Sequence, residues 1–243
     1  MASLFGRRDL VYAALVTTWP RETVRRTRSA LRPLANSNLA PAMRAYMKDV
    51  APFLGVRAGE RRRALHSAWH DLGSPTSDEL GHSSLLLMGQ REREFHYAAY
   101  DLIACYIDAA DEKFLIEYMQ DLLITKPWWD TVDGLGTAGV SPLCQRYDAR
   151  EIVWQWSRSP NQWLNRAAIQ HQRGWKRDTD VEFILELCDV HAASREFFVA
   201  KAIGWALRDL ARLEAPSVRR FLRQHPDLSP VAVREARRGL ATS

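Results

Sequence analysis

The sequence has few of the features that mark secreted, metal-binding or membrane-spanning proteins. Only three cysteines occur in 243 residues, at positions 105, 144 and 188, and none forms a Cys-x-x-Cys pair. We therefore expect neither a disulfide framework nor a cysteine-ligated zinc ion. No apolar run approaches the ~20 residues of a membrane helix, and the apolar residues 10–16 lack a recognisable cleavage site. These absences predict a cytoplasmic protein with no membrane association.

Strand signals are also nearly absent, whereas helical signals follow one another along the whole chain. The one Asp-Gly pair, Asp133-Gly134, follows a helical segment and does not join two alternating runs. Residues 134–146 form the longest stretch predicted to be irregular. Helices are predicted at 6–18, 21–33, 40–54, 58–71, 77–88, 91–107, 111–125, from Pro127 onward, 147–158, 161–172, 179–189, 194–213, 216–224 and 230–240.

These helices pair at intervals of roughly 35–45 residues, a spacing typical of helical solenoids. The sequence shows no strict internal self-similarity, so any repeats are structural and degenerate. We expect an all-α protein, a single-domain superhelical solenoid of helical hairpins over residues 1–243. Stacked hairpins curve, and such a solenoid presents a concave face.

Charge is distributed unevenly along the chain. Residues 1–70 carry net charge +9, residues 71–150 carry −8, and residues 151–243 carry +4. A basic face favours a polyanionic partner, with nucleic acid first in line. The alternative is that the arginines only solvate helix surfaces, and charge alone does not separate the two.

Two motifs suggest ligands but lack the necessary context. Gly134 to Gly139 matches G-x-G-x-x-G, yet no strand precedes it and no βαβ pattern surrounds it, so we predict no nucleotide cofactor. His66 and His70 share a helix face, but position 67 is Ser where a zinc-protease motif has Glu. We expect no metal site and no cofactor.

The segment Lys126 to Asp133 combines aromatic and acidic side chains. Trp129 and Asp133 are four residues apart and share one face of the predicted helix. An indole attracts positive charge through its π surface, and a carboxylate carries fixed negative charge. The pair suits a substrate that develops positive charge, although core tryptophans beside solvated aspartates would give the same pattern.

Four groups of residues, in this order and spacing, resemble the AlkD family of DNA alkylation-repair glycosylases from about residue 40 onward. They are Ala45-Tyr46-Met47-Lys48 with Phe53-Leu54-Gly55-Val56, then Arg91-Glu92-Arg93-Glu94-Phe95, then Lys126 to Asp133, and finally Ser159 to Ile169 with Glu196-Phe197-Phe198 and Lys201 to Arg208. The resemblance implies HEAT-like helical repeats around a DNA duplex. It divides the chain into a basic helical extension over residues 1–38 and a glycosylase core over residues 40–240.

The resemblance also implies roles for individual residues. Asp133 matches the catalytic carboxylate, and Tyr46, Trp129 and Trp205 match the aromatic residues that pack on the DNA backbone at the lesion. Trp129 and Trp205 are also expected to be catalytic, because their indoles can stabilise positive charge on the substrate. Arg166 matches an arginine that holds a backbone phosphate. Lys48, Lys176 and Arg208 are further residues expected to bind DNA. The sequence departs from the family pattern at Gly174, where a basic residue is expected, and at Pro127, where serine is common.

By this resemblance the protein releases positively charged N3- and N7-alkylated purines from duplex DNA and leaves an abasic site, acting as a monomer. Base extrusion is not expected, and no general acid is needed, because a cationic purine leaves as a neutral base. The hydrolysis is expected to be independent of metal. Two alternatives stay open: a helical-repeat DNA-binding protein without catalysis, and a protein-interaction scaffold. Within the glycosylase interpretation, a self-resistance enzyme that removes a bulky genotoxic product is a narrower possibility.

Overall fold

The computed structural model describes residues 18–242, and every regular element in that range is helical. The all-α prediction is confirmed. The chain divides into two compact units, residues 1–126 and residues 127–243. The helix predicted over 6–18 lies, apart from its last residue, outside the described residues.

The described part of the first unit contains seven α-helices. The first, α1, packs against α3, α4 and α5, and α4 packs against α5. Short 3₁₀ turns at Arg32–Leu34 and Ile107–Ala109 follow α1 and α5. The helices are α1 (Thr18–Leu31), α2 (Ala40–Tyr46), α3 (Ala58–Trp69), α4 (Ser77–Met88), α5 (Arg93–Cys105), α6 (Glu112–Glu117) and α7 (Met119–Ile124).

The basic helix predicted over 21–33 is confirmed as α1, and it contributes to the core of this unit. Val24 and Leu31 are buried, and the buried Thr27 hydroxyl accepts a 3.1 Å hydrogen bond from the Trp69 indole of α3. The arginines of α1 therefore lie on the other side of a helix whose apolar side is packed.

The helix predicted over 40–54 is wrong in its second half, because α2 ends at Tyr46. Lys48 and Asp49 then take left-handed backbone conformations, with φ of 58° and 59°. Non-glycine residues in this region carry strain that the surroundings must compensate. Pro52 further opposes a continued helix, because its nitrogen has no hydrogen to donate.

Glu94 holds the segment that follows this strained backbone. Its buried carboxylate accepts hydrogen bonds from the backbone N–H groups of Leu54, Gly55 and Val56, at 2.9, 2.8 and 3.0 Å. Gly55 has φ of +89° and lies so close to Asn36 that a Cβ would come within 2.2 Å of its carbonyl oxygen. Two of the sequence groups quoted above thus meet, and Glu94 anchors the loop that follows Tyr46.

Two helix starts in this unit are capped by side chains. Thr76 and Glu79 form a reciprocal capping box at the start of α4, and the Asp111 side chain accepts from the Phe114 N–H at the start of α6. The helix predicted over 111–125 is divided at Tyr118 into α6 and α7.

The described part of the second unit contains eight α-helices. The central helix, α11, packs against α8, α10 and α13, and α13 packs along α15. A 3₁₀ turn, Lys176–Asp178, precedes α12. The helices are α8 (Trp129–Leu135), α9 (Ser141–Arg146), α10 (Arg150–Ser157), α11 (Gln162–Ile169), α12 (Val181–Val190), α13 (Phe197–Ala211), α14 (Ala215–Gln224) and α15 (Pro230–Leu240).

The irregular stretch predicted over 134–146 is wrong. Gly136–Val140 is a π-helical segment that leads directly into α9, and Val140 and Leu143 are fully buried. Local glycines reduce helix propensity, but packing against the rest of the unit overrides it. The Trp175 indole, for example, donates to the Ser141 carbonyl at 3.1 Å.

No helix between residues 18 and 242 is both long and apolar enough to cross a membrane. Over the same residues, no group of three or more histidine, cysteine or acidic side chains could hold a metal ion. The three cysteines are not bridged.

Candidate active site

Asp133 and Trp129 lie one turn apart on α8, which begins at Trp129 and not at Pro127. The preceding Trp128 is half-buried in an aromatic cluster. Its ring lies 5.6 Å from Trp163 of α11 and 5.1 Å from Phe198 of α13. This aromatic cluster joins the start of α8 to the two helices that carry the other candidate residues.

Asp133 forms a bidentate ion pair with Arg166. The Nε and Nη2 atoms of Arg166 each donate to one carboxylate oxygen, at 2.8 Å. Nη1 donates to the Phe198 carbonyl at 2.7 Å. Arg166 is only 1% exposed, whereas the Asp133 side chain is 15% exposed. The arginine therefore fixes the orientation of a carboxylate that keeps access to solvent.

Cationic side chains surround the indole of Trp205 on α13. The guanidinium carbons of Arg166, Arg173 and Arg208 lie 5.0, 5.1 and 5.8 Å from the ring centroid, and Lys201 Nζ lies 5.5 Å from it. Lys201, Trp205 and Arg208 share one face of α13 through their spacing of four and three residues. This concentration of positive charge suits an anionic DNA backbone.

A buried carboxylate on α15 holds two of these cations. Glu235, whose side chain is 3% exposed, lies 3.4 Å from Lys201 and 3.2 Å from Arg208, and Arg238 lies 3.1 Å from it. Burial alone would raise the pKa of Glu235, but Lys201, Arg238 and Arg208 lower that pKa below its ordinary value. Glu235 thus positions the basic face of α13.

The backbone conformation at position 174 explains why glycine stands where a basic residue is expected. Its φ is +95°, although a Cβ there would meet no atom within 4 Å. A basic side chain would fit the space but would strain the backbone. The exposed side chains of Arg173 and Lys176 supply positive charge on either side of it.

Two cavities adjoin these residues. The smaller, of about 10 Å³, is lined by Asp133, Thr137, Arg166 and Gln170 among others. The larger, of about 270 Å³, is lined by Trp205, Arg173, Lys176 and Gln170. Gln170 and Arg173 line both.

Tyr46 and Lys48 belong to the first unit. Tyr46 ends α2 and is 70% exposed, and Lys48 has a left-handed backbone conformation with φ of 58°. The structure thus brings Asp133, Trp129, Arg166, Trp205 and Arg208 into one unit, with Lys176 beside the larger cavity, while Tyr46 and Lys48 are placed within the other.

Sequence reasoning missed Glu235, Arg173 and Gln170. Glu235 is 27 residues from Arg208, so no local spacing relates the two. The spacing of Lys201, Trp205 and Arg208 was a usable signal for a basic and aromatic face. The bond from Arg166 to Asp133 spans 33 residues and has no signal in the sequence.

The sequence model of the family described as DNA alkylation repair enzyme matches residues 27–240. The chain belongs to the DNA alkylation repair enzyme family. The match begins within α1, earlier than the resemblance at about residue 40, and includes all the candidate residues. No curated protein matches the chain.

Solved structures support the family membership. A predicted DNA alkylation repair enzyme from Enterococcus faecalis is 26% identical, with a TM-score of 0.76, over 86% of this chain and 98% of its own. AlkD2 from Streptococcus mutans is 17% identical, with a TM-score of 0.57, over 76% of this chain and 89% of its own. The protein smu.31 from Streptococcus mutans UA159 is 19% identical, with a TM-score of 0.56, over 72% of this chain and 88% of its own. At these last two identities the likeness concerns the fold only.

Proposed function

We propose that the protein is a monofunctional DNA glycosylase that removes positively charged N3- and N7-alkylated purines from duplex DNA. It hydrolyses the N-glycosidic bond without a metal ion and leaves an abasic site. The observation that carries the proposal is Asp133, a partly exposed carboxylate held through both oxygens by the buried Arg166. The family membership supports it.

The chemistry follows from the charge on the lesion. An alkylated purine of this class is already cationic, so it departs as a neutral base without a general acid. The deoxyribose becomes oxocarbenium-like as the bond breaks, and a fixed carboxylate stabilises that charge. Because Arg166 orients both oxygens before the substrate arrives, little reorganisation accompanies the reaction.

The basic residues of the second unit are proposed to bind DNA phosphates. Arg173 and Lys176 are exposed, and Arg208 is partly exposed beside Trp205. Arg173 takes the place of the basic residue expected at Gly174. Arg166 is also predicted to contact a phosphate. Its guanidinium is buried against Asp133 and the Phe198 carbonyl, so that contact stays a prediction. Tyr46, Lys48, Trp129 and Trp205 keep their proposed places along the DNA backbone.

The size of the site favours recognition without base extrusion. The cavity that Asp133 lines has a volume of only about 10 Å³, which is far too small for a purine, and Asp133 does not line the adjoining cavity of about 270 Å³. Enzymes that flip a base need a pocket that encloses it at the catalytic group. We propose that Asp133 acts on a sugar at the protein surface. The protein would act as a monomer in the cytoplasm, on the cell's own duplex DNA.

The test is release of free base from duplex DNA containing N7-methylguanine, in EDTA, under single-turnover conditions. Asp133→Asn should slow release about 10²–10³-fold, as loss of a preorganised electrostatic group does. Asp130→Asn is the matched control. It lies three residues earlier on α8, and its Oδ1 accepts from the Thr131 N–H at 2.9 Å, a bond that asparagine keeps.

The other possible outcomes of this test would indicate a different function or a different catalytic residue. Tight, salt-sensitive DNA binding without release of either methylated or bulky purines would favour a non-catalytic DNA-binding protein. Absence of salt-sensitive DNA binding would favour a protein-interaction scaffold. Equal rates for Asp133→Asn and wild type would remove Asp133 from the mechanism.

A further inference from the structure

The smaller cavity beside Asp133 has the size of one water molecule. Its volume is about 10 Å³, and a buried water needs roughly 10–15 Å³ of such volume together with two to four polar partners. Asp133 lines the cavity, and each of its oxygens accepts one bond from Arg166. A carboxylate oxygen has two lone pairs, so both can accept a further hydrogen bond.

Gln170 supplies a donor to the same cavity. It directly follows α11, and its Nε2 atom is buried with no hydrogen-bond partner within residues 18–242. Its Oε1 atom accepts a long bond from Arg173 at 3.5 Å, which directs the amide oxygen toward the arginine. A buried amide donor without a partner costs free energy. The cavity therefore combines an acceptor and an unsatisfied donor.

The larger cavity adjoins this position. Gln170 and Arg173 line both cavities, and the larger one, of about 270 Å³, extends along Trp205.

We propose that Gln170 and Asp133 together hold the water that attacks the sugar, so that Gln170 is a positioning residue for hydrolysis. This inference rests on the proposed glycosylase function. The Gln170 amide donates to one lone pair of the water oxygen, and Asp133 accepts from one of its hydrogens. The other lone pair faces the sugar.

The bond between C1′ and the purine nitrogen breaks, and its electron pair neutralises the cationic base. The water oxygen forms the new bond to C1′. The proton it loses passes to the Asp133 carboxylate and then to solvent. No oxidant, reductant or further reactant is required.

The test compares Gln170→Leu with Gln162→Leu in single-turnover release of N7-methylguanine. Gln162 starts α11 and also has a buried, unpartnered amide atom within the described residues, its Oε1, but it is not among the residues that line the cavity. Gln170→Leu should slow release about 10–100-fold, as expected for loss of positioning, with unchanged affinity for DNA. Gln162→Leu should keep the wild-type rate.

A second readout separates positioning from a structural role. In buffered methanol–water mixtures, the sugar is captured by either nucleophile, giving an abasic site or its methyl glycoside. Wild type should favour water, and Gln170→Leu should shift the ratio toward that of the free solvents by at least about threefold. A fold-disrupting variant would lose rate without changing the ratio.

The outcomes are distinct. A wild-type rate and ratio in Gln170→Leu, or a slower rate with an unchanged ratio, would overturn the role of Gln170 while leaving the glycosylase in place. Failure of wild type to release any base would overturn the proposed function, and this inference with it.

Discussion

Arg166 is a charged side chain with only 1% of its surface exposed. Taking a guanidinium out of water is costly unless it is paired and hydrogen-bonded. Here Asp133 and the Phe198 carbonyl satisfy three of its N–H groups. The pair therefore links α8, α11 and α13, and the carboxylate proposed to act on the sugar is also part of the packing of the unit.

Removing Arg166 should therefore destabilise the protein as well as slow the reaction. Arg166→Ala leaves Asp133 unpaired, and loss of one partner of a buried pair costs about 3–5 kcal/mol. The measurement is the free energy of unfolding in urea. Arg173→Ala is the control, because Arg173 lies as close to the Trp205 ring, at 5.1 Å, but is exposed. We expect it to change stability by less than about 0.5 kcal/mol. Similar losses for both variants would contradict the account of the ion pair.

At the scale of elements, the pair α13 and α15 holds the basic face in place through close approach at glycines. A Cβ at Gly239 would lie 2.5 Å from the Arg208 carbonyl oxygen, and one at Gly204 would lie 2.9 Å from the Glu235 Cβ. The helices approach closely enough for Glu235 to reach both Lys201 and Arg208. Gly204 and Gly239 thus allow the helix spacing at which Glu235 pairs with Lys201 and Arg208.

Gly239→Ala should test this packing. The added methyl group meets backbone, which cannot rotate away, so we expect a loss of about 1–3 kcal/mol in the free energy of unfolding. Gly59→Ala on α3 is the matched control. Its nearest neighbour would be the flexible Arg63 side chain at 3.6 Å, and alanine favours a helix over glycine by up to about 1 kcal/mol. That variant should be unchanged or more stable. If Gly239→Ala were as stable as Gly59→Ala, α13 and α15 could move apart without loss of stability.

At the scale of the molecule, a buried histidine couples folding to pH. His171 donates from Nδ1 to the Ala168 carbonyl at 2.7 Å, and Gln172 donates to its Nε2 at 3.1 Å. Both ring nitrogens are thereby satisfied in the neutral form. Burial lowers the pKa of His171 to about 4, against an ordinary value of 6.5. Burial lowers the pKa of His191 in the same direction.

The sign of the pH effect follows from these pKa values. Above pH 6.5 His171 is neutral in both the folded and unfolded states, so it does not change the free energy of unfolding with pH. Between pH 6.5 and 4 the unfolded state binds a proton that the folded state does not, so stability falls as pH falls. The loss should reach about 3 kcal/mol near pH 4. Urea unfolding of wild type and His171→Phe from pH 7.5 to 4.5 measures it, and the variant should show the flatter profile. Parallel profiles would exclude His171 as the cause.

The sequence by itself determined which segments are helical wherever periodicity and capping agree. Helices α3, α4 and α12 to α15 lie close to where they were predicted, because apolar spacing is a local property. Four of them also have a local start signal: Thr76, Asp180, Pro216 and Pro230. It also placed Trp129 and Asp133 on one face, since four residues make one turn. The resemblance added the family and the expected roles.

Only the tertiary structure decided the rest, because the forces concerned act between distant residues. The loop at residues 54–56, which follows α2, is held by Glu94, about 40 residues away, and the helical structure of 136–146 depends on packing that overrides its glycines. The partner of Asp133 lies 33 residues along the chain. The buried amide of Gln170 and the carboxylate of Glu235 likewise gain their meaning from neighbours that no sequence pattern brings together.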